Sequence, residues 1–488
     1  MLIPYTYTEF FVYRGGKDMG EYIEKNESPN SNGPIVAVLL IGSFLAILNQ
    51  TLLITATPYI MKEFDLTENM GQWVTTIFML VNGIMIPITA FLMETFSTRR
   101  LFLFSMGTFI VGTFVCFITP NFSFLMVGRI IQAIGAGVLM PLMMTIFMLI
   151  FPLEKRGFAM GMAGLVISFA PAIGPGLAGW FIEIFPWRYL FLIIIPLAII
   201  DLIFGYIFMK NIITRSFPKV DYPSIILSVF GFGGLLYGFS SVGNFGWSNM
   251  NVILSLIIGA ITLTMFITRQ YRLKEPILQF RVLSNRTFTI TMIIGMVAFT
   301  MLIAAETILP IYMQLMAGFT ALESGIMILP GALVMGFLSP FIGKVFDRIG
   351  ARWLLIIGLT IMTVTTVFFT RLTSETTLMY ITVVFAVRMV GIAMVMMPST
   401  TAGLNALPNK LIPHGTAMTN TMRQVSASIG TALFVTIMSV TALVPKHEGD
   451  FDALVHGVNI AFYVATAITF IALILSLYVK DKKVQRNG

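Results

Sequence analysis

Fourteen apolar runs of roughly 20 residues, separated by short polar segments, leave this chain one kind of architecture. Inside hydrocarbon every backbone N–H and C=O has to find its partner within the protein, so runs of this length form helices. Spans are expected near residues 35–60, 72–94, 101–119, 122–149, 158–182, 189–209 and 223–242, then near 250–268, 287–315, 324–343, 353–370, 378–400, 412–441 and 455–479. The chain is 57% hydrophobic and 11% charged, with a mean hydropathy of +0.90, outside the range of soluble domains. The expected fold class is an all-α polytopic membrane protein with 14 spanning helices. The seventh and eighth runs give the weakest signal, because Gly231, Gly233, Gly234 and Gly238 dilute the former.

Charge sets the orientation. With both termini cytoplasmic, 23 of the 30 Lys and Arg residues fall in cytoplasmic segments, and only Lys62, Arg188, Arg371 and Lys446 fall outside, as the positive-inside rule requires. The pI of about 9.5 reflects this asymmetry rather than a basic patch, so no nucleic-acid partner is expected. Residues 1–34 are polar, lack a signal-peptide core and read as a disordered cytoplasmic tail, with Met19 as an alternative start. Residues 480–488 form a second cytoplasmic tail. The single cysteine, Cys116, excludes an internal disulfide and any multi-cysteine metal site.

Several features recur at a nearly constant offset. Glu94 in "FLMETFSTRR" (91–100) is echoed by Asp347 in "KVFDRIGARW" (344–353), 253 residues on. Gly157 is echoed by Gly415 at 258, Arg129 by Arg388 at 259 and Gly174 by Gly430 at 256. Two six-helix halves, 35–209 and 287–479, with two inserted helices in 210–286, account for these offsets. The same offset sets Glu306 in "AETILP" (305–310) against Gln50 in "NQTLLI" (49–54). Parallel repeats flanking a midplane site are a transporter architecture.

The stretch "GKVFDRIGAR" (343–352) resembles the loop signature between the second and third helices of each half in the major facilitator superfamily. On that resemblance Asp347 and the basic residues around it, Arg348 and Arg352 among them, latch helices at the cytoplasmic face, while Gly343 and Gly350 permit a tight turn. The first-half copy, with Arg99, departs from the pattern: Glu94 stands for the aspartate and Ser97 for the glycine. "LMVGRIIQAIGAG" (125–137) resembles the family's fourth-helix motif, with Arg129 and Gln132 on one face. The resemblance links Arg129 to proton transfer; the plainer reading is an anchor for the first helix. "APAIGPGLAG" (170–179) resembles the antiporter motif of exporting branches. There Gly174, Gly176 and Gly179 let a neighbouring helix approach, and Pro171 and Pro175 bend the helix.

"PWRYLFLIIIP" (186–196), "KEPIL" (274–278) and "LPIYMQ" (309–314), with the two extra helices, resemble the 14-helix drug:proton antiporter branch. Within it the chain is similar to lincomycin-resistance and related multidrug exporters of Gram-positive bacteria. That branch usually carries an acidic residue in the first helix, where "LNQTLLITATP" (48–58) has Asn49 and Gln50.

Two carboxylates, Asp201 and Glu306, sit well inside apolar runs. A carboxylate at the bilayer centre costs about 2.5–3.5 kcal/mol on insertion scales, so each needs a reason. Asp201 lies toward the cytoplasmic end of its run, where Lys210 or interfacial water is in reach; it is the second candidate carboxylate, with a structural role the plainer reading. Glu306 lies about 28 Å along the ninth helix, and Arg388 about 15 Å below the outer surface, at 1.5 Å per residue. Glu306 is therefore expected to face the central cavity near Arg388 in at least one conformation. Glu306, Arg129 and Arg388 are the proton-coupling candidates, and a permanent ion pair is the alternative. Asn49, Gln50, Gln132, Tyr312 and Gln314 are the expected cavity lining. The 34 methionines suit a promiscuous pocket as well as ordinary packing.

There is no phosphate-binding loop of the Walker type, no histidine with metal-ligand company and no nucleophilic triad. No cofactor, metal or enzymatic activity is implied. The expected function is proton-coupled efflux of amphipathic small molecules across the cytoplasmic membrane by a monomer, whose partners are its substrate, protons and the bilayer. The alternatives are an exporter of a specific metabolite, lipid or nucleotide signal, and more remotely a membrane sensor or enzyme.

Overall fold

The computed structural model describes residues 32–213, 215, 216, 219–442 and 451–479; the expected tails, 1–34 up to residue 31 and 480–488, lie outside the described residues. The chain forms α1 (Gly33–Phe64), α2 (Glu68–Thr95), α3 (Thr98–Phe117), α4 (Phe122–Ile150), α5 (Arg156–Ile184), α6 (Tyr189–Phe208) and α7 (Tyr222–Phe245). It continues with α8 (Met250–Arg272), α9 (Arg286–Leu315), α10 (Ala321–Ile349), α11 (Ala351–Phe369), α12 (Leu378–Asn405), α13 (Ile412–Thr441) and α14 (Phe451–Ser476). All 14 are long and apolar enough to cross a membrane. The chain is a multi-pass membrane protein.

Most helices outrun the apolar runs because their ends carry their own stop signals. α10 starts early on a capping box, in which Thr320 and Glu323 each bond the other's backbone N–H. It ends late, at Gly350, whose φ of +83° suits glycine alone. Asn121 and Asn285 cap α4 and α9 through their side-chain oxygens.

Two sets of six helices pack in the same way. α1 meets α5 and α6, α4 meets α2 and α3, and α3 meets α6; likewise α9 meets α13 and α14, α12 meets α10 and α11, and α11 meets α14. Two seams join the sets, α5 with α10 and α2 with α13. The turns α2–α3, α4–α5, α10–α11 and α12–α13 share one end of the bundle, called the basic end for its arginines and lysines.

α7 lies along the α2–α13 seam and touches both helices, with α8 packed against it. Trp73 of α2 stacks on Tyr237 of α7 with centroids 5.7 Å apart, and the Trp247 indole N–H donates to Thr436 of α13 at 2.7 Å. The glycines that weaken the seventh run are the reason α8 can approach: a Cβ on Gly234 would stand 2.9 Å from Gly259 Cα.

Asp221, at the start of α7, is gripped by Arg269 of α8, whose Nε and Nη2 each lie 2.7 Å from its oxygens. Arg269, with help from the Ser224 hydroxyl, holds the Asp221 carboxyl down at about 2. A carboxyl depressed in the fold stabilises it above the unfolded value of about 3.9, and that stabilisation is lost as pH falls through about 2. Asp221→Asn is expected to melt earlier than wild type at neutral pH. The gap should close between pH of about 4 and about 2, as read by thermal unfolding in detergent.

Candidate functional site

Three arginines are buried inside the helices, and each organises polar groups around itself. Arg129 of α4 donates through Nε to Val74 O of α2 at 3.0 Å, and through Nη1 to Asn49 Oδ1 of α1 at 3.0 Å and Gln132 Oε1 at 2.6 Å. Gln132 Nε2 donates onward to Thr113 Oγ1 of α3 at 2.8 Å, and Phe78 lies 4.2 Å beneath the guanidinium. One cation thus ties α1, α2 and α3 to α4. Asn49 and Gln132, expected to line the cavity, are 1% and 0% exposed. A buried guanidinium with five N–H donors draws the nearest acceptors onto itself.

Arg388 of α12 donates through Nη2 to Met301 O of α9 at 3.0 Å and bonds Thr366 of α11 through Nη1. Arg423 of α13 donates to Met396 O of α12 at 2.8 Å and bonds Thr400; Gly295 of α9 leaves room for its guanidinium, 3.2 Å from where a Cβ would stand. The sequence reading passes over Arg423, although an arginine inside an apolar run is the signal that marks the other two.

Glu306 accepts no hydrogen bond and forms no ion pair among the described residues. It lies on the half-open stripe of α9, with Met296, Phe299, Ile303 and Pro310, while the residues between are mostly buried. α1 presents the matching stripe through Phe44, Ile47, Gln50, Ile54 and Pro58. The two stripes correct the register between the halves. Pro58 and Pro310 are 252 residues apart, as are Asn49 and Met301, the residues that Arg129 and Arg388 hold. Glu306 therefore matches Ile54, one turn further from the basic end than Gln50. The carboxylate has no counterpart in the first half.

Of the expected cavity residues only Gln50 lies on a stripe. Tyr312 is fully buried and its hydroxyl donates to Thr373 O in the α11–α12 turn at 2.6 Å, so it fastens that turn. Gln314 is exposed in the last turn of α9.

At the basic end both seams are latched. The Asp347 carboxylate accepts from the N–H groups of Gly157 at 2.7 Å and Phe158 at 2.9 Å, at the start of α5. Its partners are backbone amides at a helix N-terminus, not the basic residues beside it; Arg348 is exposed. Gly343 makes no turn. It lies inside α10, where its Cβ would meet the backbone of Gly157 and Phe158. Arg156 Nη1 donates to Asn405 at 3.0 Å. On the other seam Glu94 meets His414 Nε2 at 3.1 Å, and Gln279 N donates to Nδ1 of the same ring at 3.4 Å. Arg99 stays within the first set, bonded to Tyr206 O.

The glycines of "APAIGPGLAG" divide. A Cβ on Gly174 would lie 2.8 Å from Thr51 Cβ, so α1 and α5 cross there, but Gly176 and Gly179 have nothing within 4 Å. The close contacts of α5 with α10 come instead from Gly157, Gly161 and Gly164. Gly174→Leu is expected to cost about 1–3 kcal/mol through overpacking, and exposed Pro175→Leu within about 0.5 kcal/mol. Thermal unfolding of the two variants in detergent separates them; equal melting temperatures would mean that the α1–α5 crossing is slack.

Asp201 of α6 is 1% exposed, and neither oxygen has a hydrogen-bond partner among the described residues. The reach to Lys210 expected from the sequence is not made.

Comparison with known proteins agrees with this arrangement. A profile of the Major Facilitator Superfamily matches residues 39–431. The chain is 55% identical to the uncharacterized MFS-type transporter YcnB of Bacillus subtilis, over 93% of this chain and 96% of that protein. It is 40% identical to the lincomycin resistance protein LmrB of Listeria monocytogenes, over 92% of this chain and 97% of that protein. The solved structure of the human organic anion transporter MFSD10 superposes with a TM-score of 0.67 at 14% identity, over 92% of this chain and 100% of that one, a likeness of fold.

Proposed function

The chain belongs to the Major Facilitator Superfamily, and from that premise we propose that it exports amphipathic small molecules in exchange for protons. Its two halves, 35–209 and 287–479, rock about a midplane site, and 210–286 is an inserted pair. One observation carries the reading: Glu306 is an unpartnered carboxylate on the half-open stripe of α9. A carboxylate kept inside a membrane without a partner binds and releases something. Protons, or a cationic substrate competing with them, are the ligands its chemistry suits. Arg388, fixed to Met301 of α9 in this state, is the buried cation of the same half, and Glu306 approaches it when α9 and α12 shift against each other within that half.

The basic end is cytoplasmic on the distribution of Lys and Arg, and both termini lie there. The latches then close the cytoplasmic side, and the stripes of α1 and α9 face a cavity open outward. Reporter fusions at Pro120 and Ser248 are expected outside and at Lys155 and Leu273 inside; a reversed pattern would overturn the orientation. The relative named for lincomycin resistance supports a drug-like substrate. Everted vesicles given lincomycin, a lipophilic cation and a neutral amphiphile test this. Uptake of at least one, abolished when an ionophore collapses the pH gradient, is the expected result. Uptake indifferent to the gradient would sink proton coupling, and no uptake of any would sink the drug-like substrate.

A further inference from the structure

Asp201 is the buried carboxylate that the arrangement above leaves unused. It lies seven residues before the end of α6, about 10 Å inside the basic end at 1.5 Å per residue. The side chains that meet it at the Gly42 notch, Met106 and Phe102, are apolar. A Cβ on Gly42 of α1 would stand 2.8 Å from Asp201 Oδ2 and 2.8 Å from Met106 Cε of α3. Phe102 of α3, wholly buried, fills the notches left by Gly42 and Gly205, with ring atoms within 3.5 Å of both missing Cβ positions. One turn nearer the basic end, on the same face of α3, Arg99 bonds Tyr206 O and lies 4.6 Å over the Tyr206 ring.

The other ionisable groups are placed away from it along the neighbouring helices. α1 carries none between Gly33 and Pro58; α3 brings Arg99 and Arg100 at its first turn and Cys116 near its last; α5 brings Arg156 and Glu183 at its two ends; α6 itself adds Tyr189 and Tyr206. Among the described residues no cation lies within bonding distance of the Asp201 oxygens.

We propose that Asp201 is a second proton-binding site, enclosed by α1, α3 and α6 and reached from the basic end when Phe102 leaves the Gly42–Gly205 notch. The inference rests on the proton-coupled reading above. With no hydrogen-bond partner among the described residues in this state, charge on this carboxylate draws in water, and water entering the notch takes the space that α1 occupies at Gly42. A bound proton seats α1 and its loss frees it. α1 also carries Asn49, which Arg129 holds, and Gln50 on the open stripe. The proton at Asp201 thus acts on the binding face without touching substrate.

The test is pH-difference infrared spectroscopy on the full-length protein in nanodiscs, with aspartate labelled at its side-chain carboxyl with heavy carbon. A protonated-carboxyl band that shifts with the label and disappears as pH rises is expected. It should be lost in Asp201→Asn, kept in Glu306→Gln, and exchanged faster into deuterated water in Phe102→Ala. No aspartate-sensitive band, or one unchanged in Asp201→Asn, overturns the proposal. If Asp201→Asn does not fold, the labelled wild type and Phe102→Ala decide, and an exchange rate indifferent to Phe102 overturns it. The measurement needs no transport. Failure of the role given to Glu306 would show separately, as gradient-driven export surviving Glu306→Gln.

Discussion

With Glu306 replaced by glutamine, everted vesicles are expected to lose gradient-driven uptake while substrate-for-substrate exchange continues. Glutamine keeps the shape and polarity of the side chain and removes only its ability to bind and release a proton. Among the described residues the carboxylate has no hydrogen-bond donor and no counter-ion to lose in this state, so the substitution leaves no buried partner stranded. Uptake should fall to the level seen with the gradient collapsed, and the melting temperature should change little. Two outcomes would contradict this. Full gradient-driven activity would remove Glu306 from the coupling step. A misfolded protein rescued by also neutralising Arg388 would mean a standing ion pair that forms in the folded ensemble.

The second large effect is expected at Gly343. A Cβ there would stand 2.7 Å from Gly157 C and 2.9 Å from Phe158 Cα, both backbone atoms that cannot turn aside. Gly343→Val therefore forces α5 and α10 apart at the basic end. Overpacking of about 1–3 kcal/mol would shift the balance between closed and open forms roughly 5- to 150-fold. The variant should insert normally and transport poorly. Its conformation can be read with a cysteine at Ser339, which is 2% exposed beside the seam, because the native Cys116 is buried. A membrane-impermeant maleimide supplied at the basic end should label Ser339→Cys strongly only when Gly343→Val is also present. Equal protection in both backgrounds would show that the clash is absorbed without opening.

The helices were readable because hydrocarbon leaves a 20-residue apolar run few alternatives, and even the ends are marked by residues such as Thr320 and Gly350. The site was readable only in part. Arg129 and Gln132 share a face as their spacing implies, but nothing in "LNQT" says whether Asn49 looks into a cavity or up at a guanidinium. The error in pairing Glu306 with Gln50 has a geometric origin. Offsets of 252 and 256 differ by about one helical turn, and a one-turn slip leaves the pattern of faces unchanged. The close approach of Gly157 to Gly343 was invisible for a different reason: each glycine reads as a loop residue until the opposite half is brought against it.

The two seams differ in what lies outside them. α7 and α8 wall the α2–α13 seam off from the surrounding lipid. Along the α5–α10 seam no further helix crosses among the described residues, and Phe337 and Phe341 stand 57% and 63% exposed. Besides the glycine contacts and the Asp347 latch, the seam is closed there by the edge-to-face fit of Phe169 on Phe337, centroids 5.3 Å apart. A symmetric rocking transporter would offer a membrane-dissolved compound two lateral portals. If the halves rock as proposed, only the α5–α10 flank is without a covering helix among the described residues, and a compound supplied from the acyl chains is expected to enter along that side.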